Sequence, residues 1–238
     1  MHERIRAGVQ LKARAKTVRN TADDRLLVHG IFLSIEGETT TAGFPSAFVR
    51  LAGCNLTCSW CDTPEAREGG ARMSVDEVVK KVARLGAVHH VTLTGGEPLL
   101  QGNSIPLIRK LLAARRNVQV ETNGSIPLDA VPPHARIIAD VKTPSSGCAG
   151  SFVLRNLEFL KASDEIKFVI AGGGDYRFAK RFIKKYLAES AAVVNLSPVS
   201  DRMRPDELAR LILNDRLRCR LNLQLHTIIW PGGEPKDL

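Results

Sequence analysis

Cys54-Asn55-Leu56-Thr57-Cys58-Ser59-Trp60-Cys61-Asp62-Thr63 gathers three of the chain's five cysteines at C-x3-C-x2-C spacing. The residues before it, 46–52, read as a strand, and Gly53, Asn55 and Ser59 interrupt any period, so the three thiols converge on a loop at a strand end. Soft thiolates at this spacing hold zinc or an iron-sulfur cluster. A structural zinc site wants four protein ligands. Cys148 and Cys219 are isolated, so one of them, or His29, His89, His90 or His226, would have to fold back as the fourth. A cubane cluster held by three cysteines instead leaves one iron open to a ligand that is not protein.

The spacing, with the aromatic Trp60 before the third cysteine, resembles the radical S-adenosylmethionine (SAM) superfamily. That resemblance implies that the methionyl amine and carboxylate of SAM chelate the open iron, and that an electron cleaves SAM to methionine and a 5'-deoxyadenosyl radical. A second stretch agrees. Val91-Thr-Leu-Thr-Gly95-Gly96-Glu97-Pro98 ends a strand in a Gly-Gly-Glu step, where absent side chains let backbone approach a ligand and a carboxylate can receive an ammonium group.

With 238 residues, 44% hydrophobic and 25% charged, the chain fits one soluble domain with a substantial core. No apolar run reaches membrane-spanning length and no signal-peptide core is present, so the clustered cysteines belong in a reducing compartment, with cytoplasm expected. The net charge of +9 invites a nucleic-acid reading, but residues 1–20 hold six Lys/Arg against the single acid Glu3. Much of the basicity is therefore a tail. Residues 1–25 are expected to be a disordered basic extension and 26–238 a single domain, with neither nucleic acid nor membrane as partner.

Residues 27–33 read as a strand leading into Ser34-Ile35-Glu36-Gly37-Glu38, and 46–52 as the next, with Arg50 inside it. Such an arginine is costly unless paired, so it is either half of a structural ion pair or a clamp for an anionic ligand. Ser74-Val-Asp-Glu77 is a capping box opening a helix to Gly86. Strands follow at 90–94, 117–121, 136–141, 165–170, 192–196 and 221–225, with helices expected at 104–115, 154–160, 176–188 and from near Pro205. This alternation predicts a parallel sheet with right-handed crossovers and sites at the strand ends.

Ser34 to Glu38, Phe48 to Leu56, Trp60 to Thr63, Thr94 to Leu100, Glu121 to Gly124 and Leu223-Gln224-Leu225-His226 together resemble the 7-carboxy-7-deazaguanine synthase family. The resemblance implies a partial, irregular radical SAM (β/α) barrel and a homodimer. It implies a carbon-nitrogen lyase of queuosine and 7-deazapurine biosynthesis that contracts the ring of 6-carboxy-5,6,7,8-tetrahydropterin, with loss of ammonia and SAM as a true cofactor. An electron donor such as flavodoxin or ferredoxin is implied too.

By position, Cys54, Cys58 and Cys61 match the ligands of the 4Fe-4S cluster and Thr63 the magnesium ligand. Trp60, Cys61, Asp62, Gly96, Glu97, Lys142, Ser145 and Ser197 match SAM contacts. Ile35, Glu36, Gly37, Arg50, Thr94, Glu121, Asn123 and His226 match the substrate pocket. Glu36 departs from the glutamine expected in its turn, which replaces an amide donor by an acceptor. A glycyl-radical activase shares the cluster and the Gly-Gly-Glu step without accounting for Arg50 and Thr63. A zinc-binding module would bind no SAM.

Overall fold

The computed structural model describes residues 24–230; the expected basic extension falls almost wholly outside them. Nine strands form one sheet in the order β3-β1-β2-β4-β5-β6-β7-β8-β9. β1 (Arg25–Ile35) pairs antiparallel with β2 (Pro45–Leu51) and with β3 (Ala71–Ser74). From β2 onward, through β4 (His90–Gly95), β5 (Asn117–Thr122), β6 (Arg136–Asp140), β7 (Glu165–Ile170), β8 (Val193–Pro198) and β9 (Arg220–Leu221), neighbours are parallel. The sheet does not close. It is a partial (β/α) barrel.

The two faces of this sheet differ in kind. Outward-facing Val49, Leu51, Leu93, Val120, Ile166, Phe168 and Leu196 are fully buried. They form one core with Val78 and Val82 of α1 (Val75–Arg84), Leu107, Ile108 and Leu111 of α2 (Ser104–Ala113), Tyr176 and Phe182 of α3 (Gly173–Tyr186), and Leu208 of α4 (Pro205–Asp215). One residue along each strand, the inward positions are polar. Arg50 lies opposite Thr94, Thr92 opposite Gln119, Asp140 opposite Lys167, and Lys167 opposite Asn195. Parallel sheets are ordinarily apolar on both faces, so a polar inner face marks a lumen with work to do.

The loop 36–44 after β1 fills the floor of that lumen and spans its open side. Thr40 donates through N–H and hydroxyl to Glu165 Oε1, both at 2.9 Å, and Thr41 donates to Gln119 Oε1 at 3.0 Å. Glu165 also receives Arg136 and Asn195. Across the gap, Leu225 N–H donates to the Gly37 carbonyl at 2.8 Å and Gln224 Nε2 to Glu38 Oε1 at 2.6 Å. Thr39 is held here at φ +68°, a left-handed conformation unfavourable for a β-branched residue, with its hydroxyl receiving the Thr41 N–H at 3.2 Å.

The capping box forms as expected: Glu77 N–H donates to Ser74 Oγ at 3.2 Å and Ser74 N–H to Glu77 Oε2 at 2.7 Å. Three expectations about elements change. The strand expected at 221–225 pairs only through Arg220 and Leu221, after which Leu225–Ile229 turns into α5, because Leu225 N–H is taken by Gly37 rather than by a ladder. Leu154–Phe159 is a 3-10 helix, and β3 was not foreseen. Among the described residues no helix is long and apolar enough to cross a membrane.

Candidate active site

The site residues collect where the parallel strands end. The cysteine loop leaves β2 through Gly53 and is pinned from several sides. Ser59 N–H donates to the Ser146 carbonyl at 3.0 Å and its hydroxyl to the Ser145 carbonyl at 2.9 Å, while Arg67 donates to the Cys58 carbonyl at 3.1 Å. Asn123 Nδ2 donates to Asn55 Oδ1 at 3.0 Å and its own Oδ1 receives Ser125 N–H at 2.9 Å. Sequence reading puts Asn123 among substrate contacts; its amide is engaged in bracing the cysteine loop. Arg202 lies over the half-exposed Trp60 ring, 5.8 Å from its centroid.

The three cysteines are free, half-buried thiols. Burial pushes Cys54 up and Cys58 up to about 12, Lys142 pulling the other way in both and Cys148 adding to the rise at Cys58. Such thiols become thiolates when a metal supplies positive charge. Their chemistry fits an iron-sulfur cluster, although among the described residues no three His, Cys, Asp or Glu side chains are already gathered into a metal cage.

The Gly-Gly-Glu step is explained by contact. A Cβ on Gly95 would stand 2.1 Å from the Leu51 carbonyl oxygen, and one on Gly96 would stand 2.2 Å from the Gly53 carbonyl oxygen and 2.8 Å from Cys54 Cβ. Only glycine lets β4 end this close to the cysteine loop. Glu97 is fully buried and turned inward: it accepts from Asn123 N–H at 2.7 Å, from Leu99 N–H at 3.0 Å and from the Thr122 hydroxyl at 2.9 Å. Burial pushes its carboxyl up to about 7, against the pull of those N–H donors. The carboxylate thus ties the ends of β4 and β5 together, leaving backbone at Gly95 and Gly96 beside the thiols.

Lys142 stands at the far side of the loop, its Nζ 3.0 Å from Asp140 Oδ2. Burial alone would lower its pKa; Asp140 and Cys58 outweigh that and hold it raised. Ser145 is fixed by Asp175 through its N–H at 3.0 Å and through its hydroxyl, and the buried Ser197 receives Asn222 Nδ2 at 3.0 Å.

Below this rim, Arg50 donates to Thr63 Oγ1 at 3.1 Å, Thr63 donates to Asp62 Oδ1 at 3.1 Å, and the guanidinium lies 5.8 Å from the Phe32 ring centroid. Among the described residues no carboxylate comes within ion-pair distance of Arg50, which removes the structural ion-pair alternative. Thr94 donates to Glu121 Oε2 at 2.9 Å. Ile35 ends β1 opposite Pro45, and Gly37 lies so close to His226 that a Cβ would stand 2.3 Å from its Nδ1. The turn at 35–37 and His226, far apart in sequence, are therefore neighbours.

Sequence reading missed the charged ladder beneath these residues. Lys167 pairs with Glu38 and lies 3.8 Å from Asp140, whose Oδ1 is buried without a partner. Burial opposes the Lys167 charge, yet Glu38, Asp140 and Glu121 raise its pKa well above the usual lysine value. The strict alternation Ile166-Lys167-Phe168 and Val118-Gln119-Val120-Glu121 was the available signal.

Residues 49–146 match the model of the radical SAM superfamily. A 7-carboxy-7-deazaguanine synthase of Koribacter versatilis (strain Ellin345) is 41% identical over 84% of this chain and 95% of its own length. One of Methanospirillum hungatei is 44% identical over 84% of this chain and 83% of its own. The chain belongs to the 7-carboxy-7-deazaguanine synthase family. The crystal structure of QueE from Escherichia coli has the same fold, with a TM-score of 0.73 and 21% identity over 89% of this chain and 99% of that one. Membership makes the chain a radical SAM enzyme, and it implies a 4Fe-4S cluster and SAM.

Proposed function

We propose that the chain converts 6-carboxy-5,6,7,8-tetrahydropterin to 7-carboxy-7-deazaguanine and ammonia, with SAM regenerated at each turnover. Arg50 carries this reading: a half-buried guanidinium with no carboxylate within ion-pair distance among the described residues, at the inner strand end beside Thr63, is built to receive a carboxylate from a ligand. Cys54, Cys58 and Cys61 would hold the cluster, which with bound SAM supplies the hydrogen-abstracting radical. Trp60, Cys61, Asp62, the backbone of Gly96, Lys142, Ser145 and Ser197 line the SAM side. Ile35, Gly37, Arg50, Thr94, Glu121 and His226 line the substrate side, Arg50 facing the carboxylate and Glu121 offering acceptors to ring N–H groups.

Thr63 Oγ1, accepting from Arg50 and donating to Asp62, keeps a lone pair for a magnesium ion that retains part of its water shell. A flavodoxin- or ferredoxin-like donor would supply the electron, and a homodimer in the cytoplasm is the expected form.

Anaerobic incubation of the reconstituted protein with SAM, dithionite, magnesium and the tetrahydropterin, followed by mass spectrometry, tests the reading. Ring-contracted product with SAM recovered over many turnovers is expected; 5'-deoxyadenosine alone would overturn the substrate assignment. Arg50→Ala should raise KM at least 100-fold while the cluster's absorbance and abortive SAM cleavage persist, and loss of the cluster in that variant would remove Arg50 from its role.

A further inference from the structure

Glu36 sits in the turn assigned to substrate, yet its side chain points away from the rim into the sheet and is 2% exposed. Its Oε2 accepts from the Thr92 hydroxyl at 2.7 Å and from the Gln119 amide, and its Oε1 receives Glu38 N–H at 3.3 Å. Its backbone closes the loop it begins, through Glu36 N–H to the Phe44 carbonyl and Gly43 N–H to the Glu36 carbonyl, both at 2.8 Å. Glu36 thus fastens the start of the floor loop to β4 and β5, beside the Thr41 bond to Gln119.

The surroundings do not favour a charge there. Glu121 faces it from β5 and Glu38 from its own loop. Lys167 of β7 is engaged by Glu38 and Asp140, and His226 of α5 packs on the neighbouring Gly37. Among the described residues no cation pairs with Glu36. The contact between Thr92 and Ser46 hydroxyls, 2.9 Å, runs in either direction. Thr92 donates to Glu36 Oε2; a proton on that oxygen reverses the bond, Thr92 then donating onward to Ser46.

We infer that Glu36 is a positioning residue that works as a neutral carboxylic acid, fastening the substrate turn to the sheet, and that its ionisation loosens the turn. The inference rests on the substrate assignment above. Burial, then Glu121, push this carboxyl up to about 8, the Thr92 and Glu38 hydrogen bonds only partly offsetting them. The folded protein thus keeps a proton that the unfolded chain has released. The group's contribution to stability falls as pH rises from about 4.5 towards 8, and the turn is freed above 8.

The test compares wild type with Glu36→Gln, which keeps the size and polarity with no proton to lose, as reconstituted enzyme with SAM and magnesium between pH 6.5 and 9.5. Affinity for 6-carboxypterin, read by fluorescence, should fall about tenfold per pH unit above 8 in wild type, beyond any fall in Glu36→Gln; ionisation of the probe is common to both. The thermal midpoint should decline from pH 6.5 to 8 in wild type and level off above 8, with a smaller decline over that interval in the variant. Identical pH profiles in both measurements overturn the inference. If 6-carboxypterin binds neither protein at any pH, the substrate reading fails instead, and the difference in thermal midpoint still decides whether Glu36 holds the proton.

Discussion

On the outer face of the sheet Val49, Leu93, Val120 and Phe168 meet helices and exclude water, whereas one residue along the same strands Arg50, Thr94, Glu121 and Lys167 meet one another. The outer contacts are non-directional, and each methylene counts for about what its area is worth. The inner contacts are matched partner to partner, so removing one group leaves another buried and unsatisfied. The first face supplies stability; the second holds charges where a ligand needs them.

Three comparisons would sharpen or break that contrast. Lys167→Met leaves Glu38 without its cation, Asp140 keeping Lys142, and should cost about 4 kcal/mol in urea unfolding, while Lys167→Met with Glu38→Gln recovers part of the loss. A double variant no better than the single one would show that the ladder is not paired as described. Leu93→Ala, on the outer face of β4, should cost about 3 kcal/mol through the cavity it opens, and no second truncation should restore it. Ser74→Ala, which removes the α1 cap at the end of the edge strand β3, should cost only about 1 kcal/mol and leave turnover at wild-type level.

How legible each region was follows from the range of its contacts. The cysteine spacing, the capping box and the Gly-Gly-Glu step are local patterns, readable within ten residues, and the alternation of strands and helices announced the parallel sheet. The role of Glu97 was not readable, because nothing local says that its carboxylate turns inward to Thr122 and Asn123. Neither was the floor, where Thr40 meets Glu165 across 125 positions and Lys167 meets Glu38 across 129. The leucines of 221–225 mimic a strand, and only the Gly37 carbonyl, which takes Leu225 N–H, explains why the ladder stops at Leu221.

The bond between Gln224 and Glu38 joins residues 186 positions apart. During synthesis, β1 to β6 with the cysteine loop leave the ribosome well before residues 224–226 exist, and N-terminal parts of a chain generally fold first. The strands that carry the cysteine loop are therefore complete while the turn at 35–37 still lacks His226 beside it. That turn is among the last parts of the described molecule to be finished.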